Sequence, residues 1–235
     1  VGLIDKASTD NVSGLTCVAI GAMYFVTALL FEKEKETNRL YHFNIIAAVA
    51  FASTAIGILF DIEWASILWA ILSVGIVYAA VGDRIVRGIG VLVLHLALVS
   101  AFADFLSTRV KSVSGDPMVF LNVEFVTVMI PVVCAMICGY IYKNLVTDGN
   151  KKESADVATY QYSISHILFT IVVIMDLWHL IEIEQIRNVS ITIFLALYAI
   201  IAVAVGIMRK SKYSRVVGLV LFSVAIVKII LFDLA

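Results

Sequence analysis

Eight apolar stretches follow one another along this 235-residue chain, separated by short polar connections. They read Leu15–Phe31, Tyr41–Phe60, Ala65–Val81, Gly88–Phe105, Phe120–Tyr142, Tyr162–Ile181, Val189–Met208 and Val216–Leu231. Each is close to the ~20 residues that carry a helix across a ~30 Å hydrocarbon core. Lipid offers no partner to a free backbone amide, so apolar segments in series cross it as helices. The expectation is an all-α integral membrane protein, a bundle of about eight transmembrane helices. It reads as one polytopic membrane domain over residues 1–235, built from four helical hairpins at about 15–60, 65–105, 120–181 and 189–231. Composition agrees: 62% of residues are hydrophobic, against roughly 45–50% in a soluble domain. A net charge of −1 gives no electrostatic footprint for nucleic acid.

The basic residues alternate between connections. Lys33, Lys35 and Arg39, then Arg84 and Arg87, then Lys143, Lys151 and Lys152, then Arg209, Lys210, Lys212 and Arg215 all fall on one side. Lys6, Arg109, Lys111 and Arg187 fall on the other, and Lys228 lies inside the last span. Short Lys/Arg-rich loops stay cytoplasmic, which places both termini outward and makes the basic turns cytoplasmic. The outward side is acidic and aromatic, with Trp64, Trp69 and Trp178 expected in an interfacial belt. The longest connections, Ser107–Val119 and Lys143–Gln161, are too short for a soluble catalytic domain.

Two segments share a layout. Ser66–Phe105 runs as a span, Gly82, a basic turn, Arg87-x-x-Gly90, a second span and Asp104. Ser190–Leu234 runs as a span, Gly206, a basic turn, Arg215-x-x-Gly218, a second span and Asp233. At ~1.5 Å per residue the glycine and aspartate are about 21–23 Å apart, most of a bilayer. Both copies run the same way, which suggests a parallel internal repeat rather than the inverted repeat of many transporters.

The pattern of a span ending in Gly206, Arg209, Arg215, Gly218-Leu219 and Lys228-x-x-Leu231-Phe232-Asp233-Leu234 resembles the C-terminal end of predicted bacterial membrane proteins catalogued as domain of unknown function 2339. Trp69, Gly82, Arg87 and Gly90 are similar to that family's preceding hairpins. The resemblance implies the terminal block of a longer polytopic protein in the bacterial inner membrane. It supplies no reaction and no catalytic residue. The first copy departs from the pattern, carrying Ala101 and Phe102 where a basic residue would echo Lys228.

Ionisable groups inside a membrane are expensive and so invite a functional reading. In the sixth span Asp176, His179 and Glu182 follow at i, i+3 and i+6 near the outer surface, and Asp104, Glu124 and Asp233 end their spans at a similar level. Together with Lys228 they form a candidate outward polar cluster. It reads either as an interfacial set with ordinary hydrogen bonds or as an electronegative concavity for water or a cation. Lys228 is expected to pair with Glu124 or Asp176, or else to snorkel. In the fifth span Glu124, Thr127, Pro131, Cys134, Cys138 and Tyr142 share one face. Pro131 predicts a kink there, and the face suits helix packing. Cys17, Cys134 and Cys138 read as free thiols, since two thiols do not make a metal site. His95 reads as a hydrogen-bonded core histidine. The alanine-rich second span, Ala47 to Gly57, predicts close helix approach.

No nucleotide-loop, nucleophile-elbow, metalloprotease or Cys-x-x-Cys motif occurs, and no cofactor or metal is implied. Three classes of function stay open: a non-enzymatic envelope scaffold or interaction module, which is favoured; a transporter or channel for a lipid, ion or small solute; and a membrane-embedded enzyme acting on an envelope lipid at the outward rim. The partners implied are membrane lipids, other membrane subunits or the rest of a longer chain.

Overall fold

A computed structural model describes residues 2–31, 38–111, 123–146, 151–208 and 210–233. Eight α-helices occur among them: α1 (Gly2–Phe31), α2 (Asn38–Leu59), α3 (Ile62–Ala79), α4 (Arg84–Lys111), α5 (Val123–Asn144), α6 (Lys151–Leu180), α7 (Glu184–Met208) and α8 (Lys212–Lys228). A π-helical turn over Ile229–Asp233 ends the described chain. All eight helices are long and apolar enough to cross a membrane. The protein is therefore an all-α, multi-pass bundle.

Several helices run longer than the apolar stretches that announced them, α1, α4, α6 and α7 most of all. α1 starts at Gly2 and α6 at Lys151, so most of the expected cytoplasmic loop Lys143–Gln161 is helix. Hydropathy marks where a helix leaves hydrocarbon, not where its backbone stops. The outer connection is helical as far as Lys111, and its remainder lies outside the described residues.

The helices form two compact units, and the division falls within α6. Unit 1 holds α1 to α5 and the first half of α6. Its α1–α2 hairpin closes on small residues, as the second span led us to expect. Gly21 of α1 lies against Phe51 and the backbone of Ala48 and Ala52, and Ala28 is fully buried beside Ile45. Trp69 departs from the belt expectation. Its Nε1–H donates to the Ser53 carbonyl at 2.9 Å and its ring covers Gly57, so it fastens α3 to α2. Trp64 and Trp178 are exposed, as belt residues would be.

α3 presents Ser66, Ala70, Ser73 and Val77 as one buried stripe. Gly90 of α4 packs on that stripe: a Cβ there would lie 2.8 Å from Val77 Cγ2 and 3.2 Å from the Ser73 carbonyl oxygen. α5 packs on α3 and α4. Its face of Thr127, Pro131, Cys134, Cys138 and Tyr142 is buried, and α5 remains a single helix through Pro131. Gly139 admits the Ala158 carbonyl of α6. Small residues set these approaches because lipid gives no hydrophobic drive to associate, leaving van der Waals fit to decide.

Unit 2 holds the second half of α6 with α7 and α8. Ile191, Leu195 and Ala225 form its core, with Ile174, Leu177, Phe194 and Leu221 around them. Gly218 of α8 meets α7 backbone: an added Cβ would lie 2.8 Å from the Ala199 oxygen and 2.9 Å from the Val203 nitrogen. The outward faces stay apolar, as at Leu197, Leu219 and Val220, which suits lipid as solvent. Exposed hydroxyls in both units satisfy themselves, Thr54 and Thr159 of unit 1 and Ser223 of unit 2 each donating to the carbonyl four residues back.

The α7–α8 turn closes with the Ser211 amide donating to the Gly206 carbonyl and the Lys210 amide to Ile207. This is a Schellman closure, whose left-handed position usually holds glycine. Here it holds Lys210 at φ 51°. A left-handed non-glycine residue costs about 1–2 kcal/mol, partly offset by glycine's greater freedom in the unfolded chain. Lys210→Gly is expected to raise stability by about 0.5 kcal/mol, read as a small upward shift in the detergent melting temperature.

Candidate functional site

One set of polar groups in unit 1 lies at the end carrying the basic turns. Asp83 ends the α3–α4 turn and caps α4: its Oδ1 accepts from the amides of Ile85 and Val86 at 3.0 and 3.1 Å. Its other oxygen, Oδ2, lies 2.9 Å from His42 Nε2 of α2. One carboxylate thus satisfies two orphan donors of a helix start and ties α2 to the turn. Next to it Arg84 reaches Glu153 of α6 at 2.7 Å. Both side chains are solvated, so this pair marks adjacency more than strength.

Arg87 is the central group. It is 3% exposed. Its guanidinium donates to the Ala80 carbonyl at 3.2 Å and to that of Val81, two acceptors at the end of α3. A cation suits the negative end of a helix dipole. The same group lies 5.5 Å from the centre of the Tyr142 ring of α5, within cation–π range. Asp83, His42, Arg84, Glu153, Arg87 and Tyr142 therefore join five helices. Sequence reasoning singled out Arg87 but missed this network. A Gly-Asp turn before an apolar run is a legible N-cap signal; His42, 41 residues upstream, left no local trace.

The outward set divides between the units. In unit 1, Asp104 and Glu124 are half-buried. Their carbonyls accept from Ser107 and Thr127, and Glu124 sits favourably in the first turn of α5. In unit 2, Asp176 is buried while His179 and Glu182 are exposed, and Glu182 lies beyond the end of α6. His179 Nδ1 bonds the Met175 carbonyl of its own helix at 2.8 Å. The i, i+3, i+6 spacing thus yields one inward and two outward groups. The Asp233 side chain lies outside the described residues. Among the described residues no three His, Cys, Asp or Glu side chains are close enough to share a metal ion.

Lys228 is half-buried. Its Nζ donates to the Asn188 carbonyl and to Thr192 Oγ1, both at 2.9 Å. These neutral oxygens lie on the first turns of α7, and the π-helical turn begins at the next residue. The sequence offered Glu124 or Asp176 as a partner, or snorkelling, and gave no sign of these α7 oxygens.

The Arg-x-x-Gly motifs share one feature and differ in another. Gly90 and Gly218 are both close-approach points on the preceding helix. Arg87 is buried in a capping role, whereas Arg215 is exposed; the backbone around it packs on Gly206 instead. Elsewhere in unit 2, His166 Nδ1 and the Tyr198 hydroxyl bond each other, with the Tyr213 ring 6.2 Å from the imidazole. A shallow groove on α8 lined by Val216, Leu219, Val220, Ser223, Val224 and Val227 is apolar.

No curated protein and no solved structure matches the chain. A family model described as a predicted membrane protein (DUF2339) matches residues 85–235. The match begins just before Arg87 and takes in both glycine close-approach points, the Lys228 site and the whole of unit 2 from α6 onward. With well over half of its length inside that match, the chain belongs to the DUF2339 family of predicted membrane proteins.

Proposed function

We propose that this protein is a non-enzymatic scaffold or interaction module of the bacterial cytoplasmic membrane, a multi-pass protein with both termini outward that holds other membrane components through its lipid-facing helices. One observation carries the reading. The charged side chains at the basic end of unit 1 direct their hydrogen bonds to the bundle's own carbonyls, amides and side chains. Polarity there is used to join helices. A photo-crosslinker at Val220 on the exposed face of α8, activated in native membranes, is expected to give a discrete protein adduct. Adducts to lipid alone at Val220 and at matched positions on α1 and α7 would reject the scaffold.

Orientation has its own check. Cysteine at Ser154 should be protected from an impermeant thiol reagent in intact cells, and cysteine at Ser114 should be labelled. The opposite pattern would invert the assignment drawn from the basic turns.

Transport is the second reading, supported by a polar side chain deep in unit 1: Gln161 is fully buried. Proteoliposomes that pass protons or small solutes above the protein-free level, with flux lost in Gln161→Leu, would favour it over the scaffold.

A further inference from the structure

Four buried hydroxyls of unit 1 have partners, whereas that of Ser53 has none among the described residues. Ser66, Ser73, Thr127 and Ser165 each donate to a carbonyl three or four residues earlier in their own helix. Gln161 stands apart from them. It is 0% exposed, and neither Oε1 nor Nε2 of its carboxamide meets a hydrogen-bonding group of the protein. A buried amide without a partner is among the costlier features that a bundle can retain. Gln161 lies on the stripe Ala158–Gln161–Ser165, the buried face of α6 in this unit, one turn beyond the point where Gly139 admits the Ala158 carbonyl.

A second group of the same kind lies in the same unit. The neighbouring Tyr160 ring stacks on His95 of α4, with centroids 5.5 Å apart. His95 Nδ1 is 2.7 Å from the Val91 carbonyl. It must donate there; in the neutral imidazole that makes Nε2 an acceptor. That nitrogen is also buried without a partner in the protein.

We propose that unit 1 holds water at Gln161, between α4, α5 and α6. The chemistry of the donor set selects the ligand. Oε1 of Gln161 requires a donor, while its amide hydrogens require an acceptor. A metal cation offers no acceptor, a simple anion no donor, and an acyl chain neither. Water offers both, and buried waters typically make two to four bonds to groups of this kind. The site does not depend on the scaffold reading: a held water is compatible with a static bundle and with a permeation path.

The chain has two glutamines, Gln161 and Gln185, and Gln185 is exposed at the start of α7. Selective ¹⁵N labelling of glutamine side chains therefore gives two amide groups in an NMR spectrum of the detergent-solubilised protein. Gln185→Asn identifies the Gln161 signal by elimination, without touching the core. The expected result is a water cross-peak on the Gln161 amide, with the sign of a molecule tumbling with the protein, that disappears in Gln161→Leu. A resolved Gln161 signal with no such cross-peak, in the wild type and in Gln185→Asn, would overturn the proposal. Both spectra can be recorded even if Gln161→Leu does not fold.

Discussion

Replacing Arg87 by leucine is expected to lower stability by about 3 kcal/mol, the largest effect of any single polar substitution in the bundle. Arg87 is buried and donates to two carbonyls that end α3. Hydrogen bonds to charged groups contribute about 1.5–3 kcal/mol each, and the Tyr142 ring adds about 0.5–2 kcal/mol. Relief from burying the cation offsets part of that sum. Leucine leaves both carbonyls facing an apolar contact. Arg87→Lys keeps the charge but loses the planar fork, and should lie about midway. A melting series in one detergent checks the order. Arg87→Leu melting within about 2 °C of the parent would remove the capping role.

The second large effect is steric. Gly218→Ala should cost about 2–3 kcal/mol, because its methyl would press on the Ala199 oxygen and the Val203 nitrogen of α7 at 2.8 and 2.9 Å. Backbone cannot rotate away, so α7 and α8 must separate, and overpacking of that sort typically costs 1–3 kcal/mol. Gly90→Ala meets Val77 and Ile76 methyls first, at 2.8 and 3.1 Å, with the Ser73 oxygen at 3.2 Å. Side chains yield more readily, and about 1 kcal/mol is expected. Gly75→Ala and Gly88→Ala meet nothing within 4 Å and should be neutral or slightly stabilising. Thermal melting of the four variants gives a ranking that helix propensity alone would not produce. Equal shifts across all four would reject close approach as the reason for glycine at 90 and 218.

The two motifs that looked alike in sequence are thus alike in one respect and unlike in another. The glycines answer to the same demand, a hairpin whose helices touch. The arginines do not. Arg87 lies within reach of α3's last carbonyls and of Tyr142 on a third helix, α5. Arg215 remains exposed. The i, i+3, i+6 acidic and histidine set shows the same lesson. Spacing placed Asp176 and His179 on neighbouring faces of α6, but one is buried and the other bonds its own backbone.

What the sequence by itself determined was class and span count, since transfer into hydrocarbon adds up residue by residue along a segment and needs no knowledge of neighbours. It also marked the small-residue faces, because the absence of a side chain is a local fact with one main use in lipid. What tertiary structure alone decided was the fate of each polar atom. Asp83 is satisfied by a histidine 41 residues away and Lys228 by a carbonyl 40 residues away. Trp69 became a helix fastener because a carbonyl on α2 lay within its reach. A hydrogen bond is made or lost within about half an ångström, and no periodicity along one helix fixes where another helix will place its carbonyls.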